Sequence, residues 1–470
     1  MHWLLAGLAG IGFVELLFRL PVAATLHRFR ETASRVFAVV SSRRISDHWK
    51  EKALPRFAWR IFTLTLRLGV LIAAAFIPFV LLAVVSDAVG VPLVEFTLSW
   101  VGILYVSALS AIYAKVRFPR AVRTGAYGPW DQFIHRLALG NEAVAELSFS
   151  IERTCFRVPA DAATDRKHVF VAGLARAGTT VLMRRLYGTG AFRSLTYRDM
   201  PFVLAPNLWE RITRTSRKDM AAEERAHGDG IRVDFDSPEA LEEVFWRVHC
   251  GDAYLRWDRL VPMTTTQEEE ARFRQYVALL LRKDPSKRYL SKNNNNILRL
   301  PSLSRCFPNA VVIVPFRDPF QQALSLMRQH QAFSERHRDD VFSRQYMTWL
   351  GHHEFGLGHR PFVFDASQMP IRKARDPLSD PGYWVRLWID SYTYLDETAP
   401  ASCAFLSYER LCEDVDTVWP RMCADLDLPL QSAHEPLRLA RTAATCEVPD
   451  ALMGEANTLY ARLCDREAWR

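Results

Sequence analysis

Arg176, Thr179 and Thr180 gather around two glycines, Gly173 and Gly178, in the stretch HVFVAGLARAGTTVLMRRLY (168–187). A guanidinium and two hydroxyls at a glycine-bounded loop suit a phosphate or sulfate group. Val169 to Ala172 is short and β-branched enough for a buried strand, and Val181, Leu182 and Leu186 recur at helical spacing behind the threonines. Such a strand, loop and helix start aim the loop N–H groups and the positive helix end at one spot. The spacing approaches the nucleotide-binding pattern Gly-x4-Gly-Lys-Ser/Thr. Here Thr179 stands in place of the lysine, and the cation, Arg176, lies inside the loop. The plainer alternative is a strand-to-helix turn that uses glycines only for its geometry.

A second cation follows another apolar run. Ala310 to Pro315 (AVVIVP) reads as a buried strand ending in Phe316-Arg317-Asp318-Pro319, with Ser325 on the helix beyond. Arginine offers a fork of donors at a strand's end, and the serine adds a hydroxyl to the same anion. A magnesium-dependent phosphotransferase would instead end this strand in a carboxylate. Carboxylates that could serve a proton transfer include Glu239, Glu242 and Glu243. Pro238–Val248 reads as a helix with proline at its start, which puts Glu239 and Glu243 on one face at i, i+4. A solvated helix face is the alternative. Trp246, Tyr254 and Trp257 could line an acceptor cleft or fill a core. His352, His353 and His359 beside Glu354 are too irregularly spaced for a metal set and read as a loop.

Arg176-Ala177-Gly178-Thr179-Thr180, with Arg317 and Ser325 eight residues after it, resembles the donor site of the sulfotransferases that use PAPS, 3′-phosphoadenosine-5′-phosphosulfate. The resemblance extends over residues 166 to 430. It implies a P-loop-like α/β domain with a mainly parallel sheet, PAPS as co-substrate, PAP as product and no metal. It assigns Arg176, Ala177, Gly178, Thr179 and Thr180 to the phosphosulfate, Arg317 and Ser325 to the 3′-phosphate, and Tyr408, in LSYERL (406–411), to the adenine. It further implies that Arg176 and Lys292 stabilise the moving sulfuryl group, with Asp199 as the base. Glu239, Glu242 and Glu243 remain rivals for that role. Some features depart from the family: Arg176 replaces a commoner lysine, Ala177 lacks a hydroxyl many members carry, and Asn294 stands where cytosolic members place a histidine.

These residues need a frame. Beyond His168, strands alternate with helices, the pattern of an α/β domain with a mainly parallel sheet. The chain has 470 residues, 49% apolar and 24% charged, enough for a large core. A net charge of +8 suits an anionic co-substrate or membrane surface and does not demand nucleic acid. The eight cysteines have no CxxC pairing and read as mostly buried thiols of a reducing compartment.

Residues 1–120 read as a membrane region, with apolar segments at 3–18, 68–85 and 91–114. The first segment contains Glu15 and lacks a basic leader region, so it reads as retained, spanning or lying in the interface. Arginines and lysines crowd the 19–67 loop and follow Lys115, whereas the turn at Asp87 is acidic. The positive-inside rule therefore puts the catalytic domain in the cytoplasm, as expected of a multi-pass protein of a bacterial inner membrane. Residues 121–165 read as a helical connector near the membrane surface, and 166–470 as the catalytic domain. The function expected is in-line sulfuryl transfer from PAPS to a hydroxyl of a glycan, glycolipid or other membrane-associated acceptor. The alternatives are a nucleotide-dependent P-loop kinase and an inactive membrane scaffold.

Overall fold

The computed structural model describes residues 2–22, 25, 28–29, 32, 36, 47–117, 128–213, 223–224, 232–233, 237–365, 367–368, 376–430, 437, 439 and 447–470. Two compact units divide the chain, Met1–Gly128 and Pro129–Arg470.

The first unit is helical. The apolar segment at 68–85 is divided at Phe76: helix Asp47–Ala75 stops, and helix Ile77–Ala88 starts again with Pro78 in its first turn. The segment expected at 91–114 is also broken. A short helix, Leu93–Leu98, ends at extended Ser99, whose Oγ accepts a bond from Gly102 N–H (3.1 Å) and so caps helix Trp100–Arg117. The N-terminal helix His2–Arg19 packs closely within the unit because glycines line its contact face. A Cβ on Gly7 would come within 2.8 Å of Leu109 Cδ2, and one on Gly10 within 2.8 Å of Ser110 Oγ. Glu15, the acid in this apolar helix, accepts a bond from Tyr113 Oη (2.8 Å) and pairs with Arg19 (3.0 Å) and Arg117 (3.2 Å). Among the described residues, two stretches, His2–Arg19 and Ala53–Ala88, are by length and composition apolar enough to cross a membrane.

The second unit is an α/β domain. Its main sheet has five parallel strands: β1 (Val169–Val171), β2 (Phe192–Arg193), β3 (Arg288–Lys292), β4 (Val311–Phe316) and β5 (Cys403–Ser407), in the order β2-β3-β1-β4-β5. Successive side chains of β1 bury on opposite faces. Phe170 and Ala172 join one core with Val312 and Val314, and Val169 and Val171 join another with Leu290 and Ile313. Because the strands are parallel, their carboxyl ends share one edge. That edge carries the loop after β1, Lys292 at the end of β3, Arg317 just after β4 and Tyr408 just after β5. Ligands of open α/β sheets bind at this edge.

Two expectations change here. The helices placed in a membrane-surface connector, Pro129–Ala138 and Glu142–Cys155, belong to this unit. Phe149 and Ala145 lie in its core, and buried Glu152 accepts bonds from Asn207 N–H (3.0 Å), Asn207 Nδ2 (2.7 Å) and Leu208 N–H (2.9 Å). The helix expected over Pro238–Val248 begins instead at Glu243 and runs to Tyr254. Pro238 bridges to Thr196, and Glu239 N–H donates to Leu195 O (3.0 Å), so sheet-like pairing holds this stretch extended. Glu239 therefore shares no helical face with Glu243.

Candidate active site

The loop after β1 has the expected strand-loop-helix form, its helix running Thr179–Gly188. Gly178 caps that helix with φ +82, where a side chain would be strained, and the Tyr408 ring lies against it: a Cβ there would sit 2.2 Å from Tyr408 Cδ2. Arg176 also has positive φ (+69), unusual for a residue with a side chain. Its Nε donates to Ser325 Oγ at 2.9 Å, and Gln322 Nε2, from the same helix as Ser325, donates to Ala175 O at 2.9 Å. The loop after β1 and the helix after β4 are thus bonded to one another.

Arg317 is buried beside Tyr408, its guanidinium carbon 5.5 Å from the ring centroid, and its Nε is 3.7 Å from Glu409 Oε1. Glu409 also accepts a bond from Asp318 N–H (3.1 Å), which ties the start of the helix after β5 to the end of β4. Burial raises the Glu409 carboxyl above its usual range, and the Asp318 N–H and Arg317 partly offset that rise. A pocket of about 630 Å³ opens here, lined by Arg317, Gln321, Glu409, Met453, Asn457 and Tyr460.

Lys292, also buried, is paired in register with Val171 at the end of β3. The asparagine run after it is a structural hub. Asn293 Nδ2 donates to Glu243 (2.7 Å), Asn296 Nδ2 to Glu242 (3.0 Å), Asn294 Nδ2 to Glu354 (2.7 Å) and Asn295 Nδ2 to Gly351 O (3.0 Å). Glu243 also takes both Nη atoms of Arg299 (2.9 Å each) and the Tyr254 hydroxyl. Glu242 takes Trp246 Nε1 (3.1 Å) and Tyr289 Oη (3.0 Å). Trp246 and Tyr254 are core residues with the Arg299 guanidinium over both rings, and Trp257 is exposed. These two rings line no acceptor cleft.

A second, narrow pocket of about 50 Å³ is lined by Arg176, Thr179, Thr180, Lys292, Glu239, Asn294, His352 and Glu354, with Ala175, Met347 and Phe355. Of the three rival glutamates, Glu239 alone lines it. Its carboxylate accepts bonds from Tyr197 Oη (2.8 Å) and Ala240 N–H (2.9 Å). Asp199 is not in this lining. It closes the turn Tyr197–Asp199, accepting bonds from Arg193 Nη2 (2.8 and 2.9 Å), Thr196 N–H (2.8 Å) and Thr196 Oγ1 (3.2 Å).

His352 and Glu354 escaped assignment to the site because they lie far along the chain from Lys292, in a segment with no helical or strand period. His352 Nδ1 is 3.6 Å from Glu354 Oε2. Burial opposes charge on Glu354, yet His352, Lys292 and the Asn294 amide together hold its carboxyl well below the usual carboxylate range. The other two histidines face elsewhere: His353 Nδ1 bonds Gly358 O (3.0 Å) and His359 Nε2 bonds Tyr383 Oη (2.8 Å). Among the described residues, no three His, Cys, Asp or Glu side chains form a group that could hold a metal ion.

Cationic side chains and a helix start meet at the carboxyl edge of a parallel α/β sheet, an arrangement that suits an anion. Residues 168–432, more than half of the chain, match the model of the sulfotransferase family, and the chain belongs to that family. Solved structures similar to it include sulfotransferase STF1 from Mycobacterium tuberculosis H37Rv, with 14% identity, 75% of this chain and 86% of that chain covered, and a TM-score of 0.36. Sulfotransferase STF9 from Mycobacterium avium shows 14% identity, coverage of 75% and 81%, and a TM-score of 0.37. The sulfotransferase domain from the curacin biosynthetic pathway shows 14% identity, coverage of 64% and 98%, and a TM-score of 0.31. No curated protein matches the chain.

Proposed function

We propose that this protein transfers the sulfuryl group of PAPS to a hydroxyl of a membrane-associated glycan, glycolipid or related acceptor. The observation that carries the reading is the 2.9 Å bond from Arg176 to Ser325, which joins the loop after β1 to the helix behind Arg317. Two cationic sites so joined suit a small donor with an anionic group at each end. The residues fit PAPS in kind. Arg317 and Ser325 would take the 3′-phosphate, Tyr408 would lie near the adenine, and Arg176 with the N–H groups of Ala177, Gly178, Thr179 and Thr180 would take the phosphosulfate. The wide pocket beside Arg317 would admit the nucleoside end, and the narrow pocket beside Arg176 and Lys292 the reacting end.

Sulfuryl transfer moves negative charge onto the leaving phosphate, and preorganised cations and N–H donors lower that barrier. Arg176 serves as a permanent cation, since a guanidinium stays protonated, and Lys292 as a second. Asp199 has its oxygens engaged by Arg193 and Thr196. We assign it to hold the turn from which Tyr197 bonds Glu239, and we leave the proton to a group lining the narrow pocket. The apolar helices of the first unit support a membrane anchor, and with it an acceptor presented by the bilayer.

The test is to incubate detergent-solubilised full-length protein with 35S-labelled PAPS and a total membrane extract in excess EDTA. Transfer of label to the extract with release of PAP is expected. Turnover of ATP only in the presence of magnesium, with no use of PAPS, would overturn the reading in favour of a kinase.

A further inference from the structure

Asn294 leaves the strand after Lys292 without the histidine that could have acted as a base there, yet the asparagine reaches one through a carboxylate. Its Nδ2 donates to Glu354 Oε1 at 2.7 Å, and the other oxygen of Glu354 lies 3.6 Å from His352 Nδ1. The loop carrying this pair is held at two further points, one on the asparagine run and one on Glu243. Asn295 Nδ2 donates to Gly351 O (3.0 Å), and Gly351, at φ +74, packs so closely on Glu243 that a Cβ would lie 2.3 Å from its Cγ. His352 N–H also donates to Met347 O (2.9 Å), which fixes the backbone at the histidine itself. The whole arrangement lines the narrow pocket with Arg176, Lys292, Thr179 and Thr180.

We propose that His352 is the catalytic base of the transfer and Glu354 its positioning residue, an inference that rests on the sulfotransferase reading above. With the Nδ1 hydrogen directed at the Glu354 carboxylate, Nε2 is the basic nitrogen. The acceptor oxygen bonds to sulfur as its hydrogen passes to Nε2. The bond from sulfur to the phosphate oxygen breaks, and its electron pair leaves with PAP. Glu354 stabilises the imidazolium that forms, as a carboxylate does for a histidine base in acyl transfer. The charged and titratable groups facing His352 across the pocket are Glu354, Lys292, Arg176 and Glu239. Glu239 is the competing base.

The test uses full-length protein throughout. Calorimetry should give His352→Asn a PAP affinity within about threefold of wild type, since the imidazole does not hold the donor. Transfer of 35S from PAPS to a membrane extract should fall at least about a hundredfold in that variant. Added imidazole should partly restore transfer in His352→Gly. In Glu354→Gln kcat should fall at least about tenfold while the KM for PAPS stays within about threefold, a split that a merely structural role would not produce. As a check independent of the acceptor, PAP should slow carbethoxylation of His352 followed by peptide mass spectrometry. Unchanged modification of His352 in saturating PAP, or full transfer by His352→Asn beside loss in Glu239→Gln, would overturn the assignment. Wild-type protein that neither binds PAP nor uses PAPS would instead overturn the sulfotransferase reading itself.

Discussion

Two polar clusters sit side by side behind the asparagine run, built from the same residue types and put to different use. In one, Glu242 and Glu243 are about 1% exposed, and their oxygens are taken by Arg299, Asn293, Asn296, Trp246, Tyr289 and Tyr254. In the other, Glu239, His352, Glu354, Lys292 and Arg176 ring a pocket. The difference is access: the second set lines a pocket and the first does not. A carboxylate whose lone pairs are filled by fixed donors and which no solvent reaches cannot meet a substrate proton, whatever its place in the sequence. The saturated cluster supports the one that lines the pocket: Asn294 and Asn295 extend from it to hold the loop bearing His352.

The contrast can be broken first at Arg299. This guanidinium and Glu243 are fully buried against each other, so Arg299→Ala should cost about 3–5 kcal/mol of stability. Denaturant unfolding measures it, and wild-type stability would show that the first cluster holds nothing together. Arg176→Ala should do the reverse, leaving unfolding nearly unchanged while raising the transfer barrier by about 3–4 kcal/mol, a several-hundredfold slower turnover.

Acid should act on both clusters. Burial lowers His168, whose Nδ1 accepts the Tyr289 N–H, to about 4, and burial does the same to His353 beside the pocket loop. The unfolded chain protonates these groups near 6.5 and the folded chain does not, so the stability they contribute should fall as pH drops below about 6.5 and be lost in full below about 4. Each histidine contributes at most about 3 kcal/mol. Unfolding free energies unchanged from pH 7 to 4 would contradict this. The smallest effect is expected at Asp199. Asp199→Asn should lose about 1–2 kcal/mol of stability and slow turnover less than tenfold, because it weakens a turn and removes no base. Abolished turnover with intact stability would return the base to Asp199.

Much of the frame was legible. Val169 to Ala172 and Ala310 to Pro315 are apolar runs too short and β-branched for helices, and they became β1 and β4, which carry the loop and Arg317. The amphipathic period over Glu268–Leu281 also marks a helix in the sequence, and that helix runs Gln267–Leu280. The Pro238 start misled because proline and acids favour a helix locally, while pairing of Pro238 with Thr196 prevails in the fold. Glu242 and Glu243 looked available because saturation depends on Arg299, Asn293 and Tyr289, dozens of residues away. His352 and Glu354 were visible as residue types but not as site residues, since only tertiary bonds from Asn294 and Asn295 bring them to Lys292.

The central claim is that one donor is held by both the loop after β1 and the arginine after β4. Calorimetric titration of the full-length protein with PAP tests it most directly. A micromolar dissociation constant is expected, weakened tenfold or more in Arg317→Ala and again in Arg176→Ala. No PAP binding by the wild-type protein, or an affinity that neither substitution changes, would contradict the account.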